Sequence, residues 1–411
     1  MSIDFDLERF IREKVTRREH SLLAEDLRQN AAELHAKLDG KRALVIGGAG
    51  TIGSHYIKAM LRFDIAKLCV VDNNENGLTE LVRDLRSEGD YRIPADFVTY
   101  PVNFGEPVFA KLFHAHGPFD IVANFAAHKH VRSEKDVFSI EAMVKNNVLQ
   151  ARGLLDLLAN QPPQHFFCVS TDKAANPVNI MGASKKLMEE LILAYADRLP
   201  VTTARFANVA FSNGSLPQGF LERLSKRQPW SCPLGIRRFF VSPSESGELC
   251  LLASVLAESG DIVFPKLDED RDMLPFERVA RDLLQALGME ADDCHSEAEA
   301  REKMMRLRAA WRPAGPIRWP VHFFKSDTSG EKAFEEFYTP EETLDLQRFA
   351  HLGVVKQVGR RSLAQVDQIL QSLEAIFSQD RVSKAEIVAT LKGYLPNFEH
   401  IETGKGLDQK M

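Results

Sequence analysis

From residue 41 to about 210, short apolar runs alternate with amphipathic stretches of roughly ten to twenty residues. The runs fall at 43–46, 68–71, 97–100, 120–125, 166–170 and 201–206, and the stretches between them include 140–158 and 183–196. Buried strands interleaved with helices predict an α/β fold with a parallel, doubly wound sheet. Residues 1–40 follow a different period. Leu7, Phe10, Ile11 and Val15, and then Leu23, Leu27, Leu34 and Leu38, recur at helical spacing with charges between them. They predict a pair of amphipathic helices acting as a packing or oligomer arm, with Gly40 in a helix-stop position. Past 210 the rhythm becomes irregular, with Gly, Pro and Ser clustered. A strand-like run at 261–266, a charged helix-forming insertion at 297–308, a further strand at 318–324 and amphipathic helix over 361–395 follow. No internal repeat is present.

Composition narrows the class. The chain has 411 residues, of which 44% are hydrophobic and 27% charged, enough for two or three packed units. Its 52 Lys and Arg against 58 Asp and Glu leave a net charge of −6, which offers no broad basic surface for nucleic acid. The five cysteines are odd in number and scattered, pointing to reduced thiols rather than a disulfide framework or a zinc site. No apolar run approaches the roughly 18 residues of a membrane span. The opening Met-Ser-Ile-Asp-Phe-Asp carries acids where a signal peptide has bases. A cytoplasmic protein without a membrane span is expected.

The first strand runs directly into Gly47-Gly-Ala-Gly-Thr51-Ile52-Gly53, and a helical stretch with Ile57, Met60 and Leu61 on one face follows. Strand, closely spaced glycines and helix form the dinucleotide-binding arrangement, in which backbone must approach a pyrophosphate at a helix N-terminus. Asp72 lies nineteen residues beyond Gly53, at the end of the second strand. A carboxylate there accepts from a ribose 2′-hydroxyl and repels a 2′-phosphate, and no arginine follows in Asp72-Asn-Asn-Glu-Asn76. NAD is therefore expected in preference to NADP. The chain divides into an N-terminal helical arm (1–40), a Rossmann-type nucleotide-binding domain (41–210) and a smaller, mainly substrate-binding region (211–355). That region carries the charged insertion near 289–315, and a C-terminal helical extension (356–411) closes the chain.

The fifth strand ends in Ser170-Thr171-Asp172-Lys173, with Met181-Gly-Ala-Ser-Lys185 shortly after. Ligands of open parallel sheets bind at the carboxyl ends of strands. A hydroxyl, a carboxyl and an amine there supply a hydrogen-bond donor, a proton donor and a proton acceptor. Together with Asn124–Val131, Asn147-Val148, Ala204–Val209, Asn213-Gly-Ser215 and Arg238-Phe-Phe240, this block resembles the extended short-chain dehydrogenases. Within them it is most similar to the CapD-type polysaccharide-biosynthesis proteins, nucleotide-sugar 4,6-dehydratases acting on substrates such as UDP-N-acetylglucosamine. Ser329-Gly-Glu-Lys332 with Glu335-Glu336 resembles a family element near the nucleotide. The resemblance covers roughly 41–350.

The resemblance implies a redox cycle within one active site: oxidation at sugar C4, loss of the C5 proton, loss of the C6 hydroxyl as water, and hydride return to C6. It implies Lys173 as the C5 base, Asp172 as the acid at C6, Thr171 bonded to the C4 oxygen and Lys185 on the nicotinamide ribose. Gly47, Gly50, Thr51, Ile52, Gly53, Asp72, Ala126 and Lys185 would hold the cofactor. Met181 stands where most short-chain dehydrogenases have a tyrosine, as in part of the dehydratase family, and leaves Asp172 or a relayed water to take the C4 hydroxyl proton. Ala207, Asn103 and Thr328-Ser329 are further departures, bearing on the identity of the substrate. Lys129 is expected to bind phosphate or a sugar hydroxyl; its neighbours His128 and His130 lack the further ligands a metal needs, so no metal is expected. Asn208, Ser215 and Arg238 are substrate candidates. Arg205 reads equally as a diphosphate ligand and as a structural ion pair. The expected protein is a homo-oligomeric hydro-lyase with a nucleotide-sugar substrate. A C4 epimerase or ketosugar reductase, and a silent dinucleotide-binding partner protein, are the alternatives.

Overall fold

The computed structural model of the protein describes residues 5–310, 317–325, 336–356 and 359–402. The expected runs form β1 (Arg42–Ile46), β2 (Lys67–Val71), β3 (Asp96–Tyr100), β4 (Ile121–Asn124), β5 (His165–Val169) and β6 (Val201–Ala204). They pair in parallel in the order β3-β2-β1-β4-β5-β6. Alternate side chains of a strand point to opposite faces. Ala43 and Val45 of β1 accordingly enter one apolar cluster with the Thr51–Met60, Glu75–Ser87 and Pro243–Leu256 helices. Leu44 and Ile46 enter the other, with the Pro107–His116, Gln150–Asn160 and Ile180–Ala194 helices. Helices on both faces of a mostly parallel sheet make this a Rossmann-type doubly wound fold.

The irregular region supplies β7 (Asn208–Val209), β8 (Trp230–Leu234), β9 (Arg237–Val241), β10 (Ile262–Pro265), β11 (Met273–Pro275), β12 (Met289–Cys294), β13 (Ile317–Lys325), β14 (Thr343–Asp345) and β15 (Leu352–Lys356). The strand expected at 261–266 is β10, which adds parallel to β6 and extends the main sheet; β15 and β14 complete it. Two small sheets, β11-β9-β7 and β12-β13-β8, surround a third apolar cluster around Trp230 and Trp319.

The terminal segments pack against this body. Residues 5–40 form short helical pieces rather than two long helices. The chain turns at Arg17, which adopts a left-handed φ of 55°, and Arg18 bonds Glu245 at 2.8 Å. The reason is geometric: Phe10, Ile11 and Val15 belong to the third cluster, whereas Leu23, Leu34 and Leu38 belong to the first. One straight helix pair could not serve both. The region 361–395 is also split, into the Leu363–Phe377 and Lys384–Tyr394 helices, each opened by a serine capping box. Val366, Ile369, Leu373, Ile387 and Leu391 cover the helices of the second cluster. All five cysteines are buried and unpaired. No helix among the described residues is long and apolar enough to cross a membrane.

Candidate active site

At the end of β1 the glycine turn enters the Thr51–Met60 helix. Gly47 has φ +75°, and a Cβ there would lie 2.5 Å from the backbone nitrogen of Ala126. Glycine alone meets both demands. The turn and first helical residues wall a cleft of about 520 Å³, within the range of small-molecule sites. Gly47, Gly50, Thr51, Ile52, Gly53, Asp72, Ala126 and Lys129 all line it, as do Asn103, His128, His130 and Asn213. Thr51 Oγ1 accepts from Asn213 N–H at 3.0 Å, tying the small region to the helix that faces the cleft.

Asp72 braces the glycine turn. Its Oδ2 accepts from Ala49 N–H at 3.0 Å and its Oδ1 from Asn74 N–H at 2.9 Å. Each carboxylate oxygen keeps a second lone pair for a ligand hydroxyl. Lys129 is the single Lys or Arg among the described residues lining the cleft, and it comes from the loop after β4 rather than from beside Asp72. Its side chain opens on the cleft, yet desolvation by the surrounding walls lowers its pKa. Burial lowers His128 likewise. Among the described residues no three His, Cys, Asp or Glu side chains gather as metal ligands would.

The reactive group forms a separate cluster at the end of β5, outside the lining of that cleft. Asp172 Oδ1 accepts three bonds: from Thr171 Oγ1 at 2.8 Å, Lys173 N–H at 2.9 Å and Lys173 Nζ at 3.0 Å. Asp172 is buried and Lys173 half-buried, so the ion pair is partly withdrawn from water. Lys185 lies behind them on the Ile180–Ala194 helix. Its ammonium donates to Val169 O at 2.6 Å, and complete desolvation lowers its pKa. Met181 is buried on the same helix. Asn147 joins the cluster to the cleft, because its amide exchanges bonds of 2.9 Å with the His128 backbone and donates to Ser184 Oγ at 3.1 Å.

The substrate candidates Asn208, Ser215 and Arg238 are not among the described residues that line the cleft. Ser215 caps the Leu216–Ser225 helix, Asn208 pairs with Phe240 between β7 and β9, and Arg238 is buried on β9 with a bond to Arg237 O. Arg205 is a structural ion pair: fully buried, it meets Glu189 and Glu342 at 2.8 Å each. Glu189 in turn accepts from Ser170 Oγ, which fixes the residue preceding the reactive cluster. Ser329–Lys332 and Thr328 lie outside the described residues. Glu189, Glu342 and Glu134 were not singled out from sequence. Each is an acid on a helix or loop, with no motif about it, whose partner arrives from another segment.

The chain thus combines a Rossmann-type sheet with a glycine-lined cleft at the end of β1 and a hydroxyl, a carboxyl and an amine at the end of β5. Residues 43–309 match the polysaccharide biosynthesis protein family, and the chain belongs to it. It is 30% identical over 332 residues to a Methanocaldococcus jannaschii chain described as an uncharacterized membrane protein, covering 78% of this chain and 86% of that one. Staphylococcus aureus capsular polysaccharide biosynthesis protein CapD is 25% identical over 86% of this chain, which spans 54% of CapD. A Rickettsia massiliae UDP-glucose 4-epimerase is 29% identical, with 55% of this chain and 66% of that enzyme covered. Among solved structures, Pen from Bacillus thuringiensis superposes with a TM-score of 0.60 at 20% identity, covering 79% of this chain and 90% of that one.

Proposed function

We propose that this chain is an NAD-dependent nucleotide-sugar 4,6-dehydratase of polysaccharide biosynthesis. The observation that carries the reading is the Thr171–Asp172–Lys173 cluster, in which an acid and an amine share a bond of 3.0 Å at the end of β5. Elimination of water across C5 and C6 needs a base and an acid together, and an epimerase needs neither at those carbons.

The glycine cleft fits a dinucleotide. Gly47 permits close backbone approach, the first turn of the Thr51–Met60 helix suits a pyrophosphate, and Asp72 suits a ribose diol. Hydride removal from C4 and its return to C6 is the chemistry such a cofactor supplies when bound. The protein's own residues handle protons. Thr171 bonds the C4 oxygen, accepting from the C4 hydroxyl while its own hydrogen stays on Asp172. Lys173 and Asp172 together hold one proton, and its transfer from Nζ to the carboxylate leaves a neutral amine beside a carboxylic acid. A relayed water takes the C4 hydroxyl proton as the hydride leaves, the amine takes the C5 proton and the acid protonates the departing C6 hydroxyl, which restores the ammonium and carboxylate. When the hydride returns to C6, the Lys173 ammonium gives its proton to C5 and regains one through the same water. Lys129 binds a phosphate or sugar hydroxyl from the cleft wall. Lys185, whose ammonium has three donors and gives one to Val169 O, holds a nicotinamide ribose.

A C4 epimerase is the second reading, favoured by the 29% identity to the Rickettsia enzyme. Incubation of the purified protein with NAD and UDP-N-acetylglucosamine, followed by mass spectrometry, separates the two. A product lighter by one water is the expected result. An isobaric product altered at C4 would establish the epimerase, and unchanged substrate counts against both.

A further inference from the structure

The reactive helix is held from an unexpected quarter. The Ile180–Ala194 helix carries Met181, Ser184 and Lys185, and its start lies against the reactive turn: a Cβ on Gly182 would sit 2.7 Å from Lys173 O. Any displacement of that helix start therefore moves Lys173. Glu134, on the loop after β4, accepts from Met181 N–H at 3.1 Å. Such a carboxylate satisfies a backbone donor that the first helical turn leaves without a partner inside the helix, and it suits the positive end of the helix dipole.

On its other oxygen Glu134 meets His400, whose Nε2 lies 3.3 Å away, with both side chains more than nine-tenths buried. His400 belongs to the C-terminal extension, outside the segment that matches the family. Three further contacts set it there. Phe398 is buried in the second apolar cluster, Glu399 N–H donates to Pro177 O at 3.2 Å, and Ile401 N–H donates to Val178 O at 3.0 Å. Residues 399 and 401 thus tie the C-terminal extension to the segment that leads into the reactive helix, and His400 between them meets Glu134. The bonds continue inward: Met181 O accepts from Ser184 Oγ at 2.7 Å, Ser184 from Asn147, and Asn147 holds the His128 backbone in the cleft wall.

We infer that Glu134 and His400 are positioning residues, through which the C-terminal extension sets the reactive helix against the Asp172–Lys173 pair. The kinetic part of this inference rests on the dehydratase reading; the structural part does not. Buried hydrogen bonds hold geometry, and small misplacements of reacting groups cost about a hundredfold in rate.

The test uses the full chain with His400→Leu, His400→Gln and Glu134→Gln. Amide hydrogen exchange at residues 181–184 and steady-state kinetics are both measured. His400→Leu is expected to speed exchange at these amides about tenfold or more and to lower kcat by about 10- to 100-fold, with NAD affinity and the KM for NAD unchanged. His400→Gln keeps a donor near Nε2 and is expected to restore kcat to within about threefold. Glu134→Gln keeps an acceptor for Met181 N–H but loses the charge, and is expected to fall between. It stands in as the decisive variant should His400→Leu fail to fold. Wild-type exchange and wild-type kcat in His400→Leu, or in Glu134→Gln in that event, would overturn the inference. Faster exchange in an enzyme whose wild type releases no water would instead overturn the dehydratase reading alone.

Discussion

The glycine cleft and the reactive cluster sit at neighbouring strand ends of one sheet, yet they are built differently. The cleft is largely a product of contiguous chain and backbone: a turn of seven residues, the carboxylate that closes the next strand, and the loop after β4. The cluster is short in sequence but rests on side chains from remote segments. Ser170 beside it bonds Glu189, Glu189 needs Arg205, Arg205 needs Glu342, and the helix start needs Glu134 and His400. A backbone cradle tolerates change in most surroundings, whereas a proton-transfer pair must be held by charges that are themselves buried and paired.

The strongest way to break that contrast is Lys173→Met. It should lower dehydration by about 10²–10⁴-fold and stop solvent deuterium entering C5, while NAD titration stays as in the wild type. Asp172→Asn should still allow C5 exchange but slow the loss of water. Dehydration at the wild-type rate in Lys173→Met would leave no named residue to take the C5 proton.

Arg205→Leu tests the support rather than the chemistry. Removing one partner of a buried pair should cost about 3–5 kcal/mol, read by urea unfolding. Its pH dependence carries a sign. Arg205 holds the Glu189 pKa below its ordinary 4.5, so the pair stabilises the fold above that value and loses this contribution as the pH falls through the folded-state pKa. Without Arg205, burial pushes the same carboxyl above 4.5, so stability in the variant should rise as the pH falls from that raised folded-state pKa toward 4.5 and be level below it.

Asp72→Ala addresses the cleft. NAD should bind about tenfold more weakly, the loss of a charge-assisted bond, and NADP should lose less or gain. Wild-type affinity for NADP equal to that for NAD would sink the argument. Met181→Tyr should do least. If another group already accepts the C4 proton, activity stays within about tenfold, under about 1.4 kcal/mol of barrier. A larger gain would show that the missing phenol limits the reaction.

The sheet was legible because its central strands are mostly apolar and the intervening helices amphipathic, a pattern that burial on both faces imposes locally. The glycine turn, Asp72 and the Thr171–Lys173 triplet were legible for a similar reason: each is a contiguous signal whose chemistry requires particular residue types. What sequence could not display is pairing at a distance. Arg205 reads alike as a ligand or a structural cation until Glu189 and Glu342 are seen on either side of it. Nothing near Glu134 foretells a histidine 266 residues further along. Local periodicity determines which faces are buried, because each residue reports its own hydration. Only the tertiary fold decides which buried charges meet, because that depends on where separate segments come to rest.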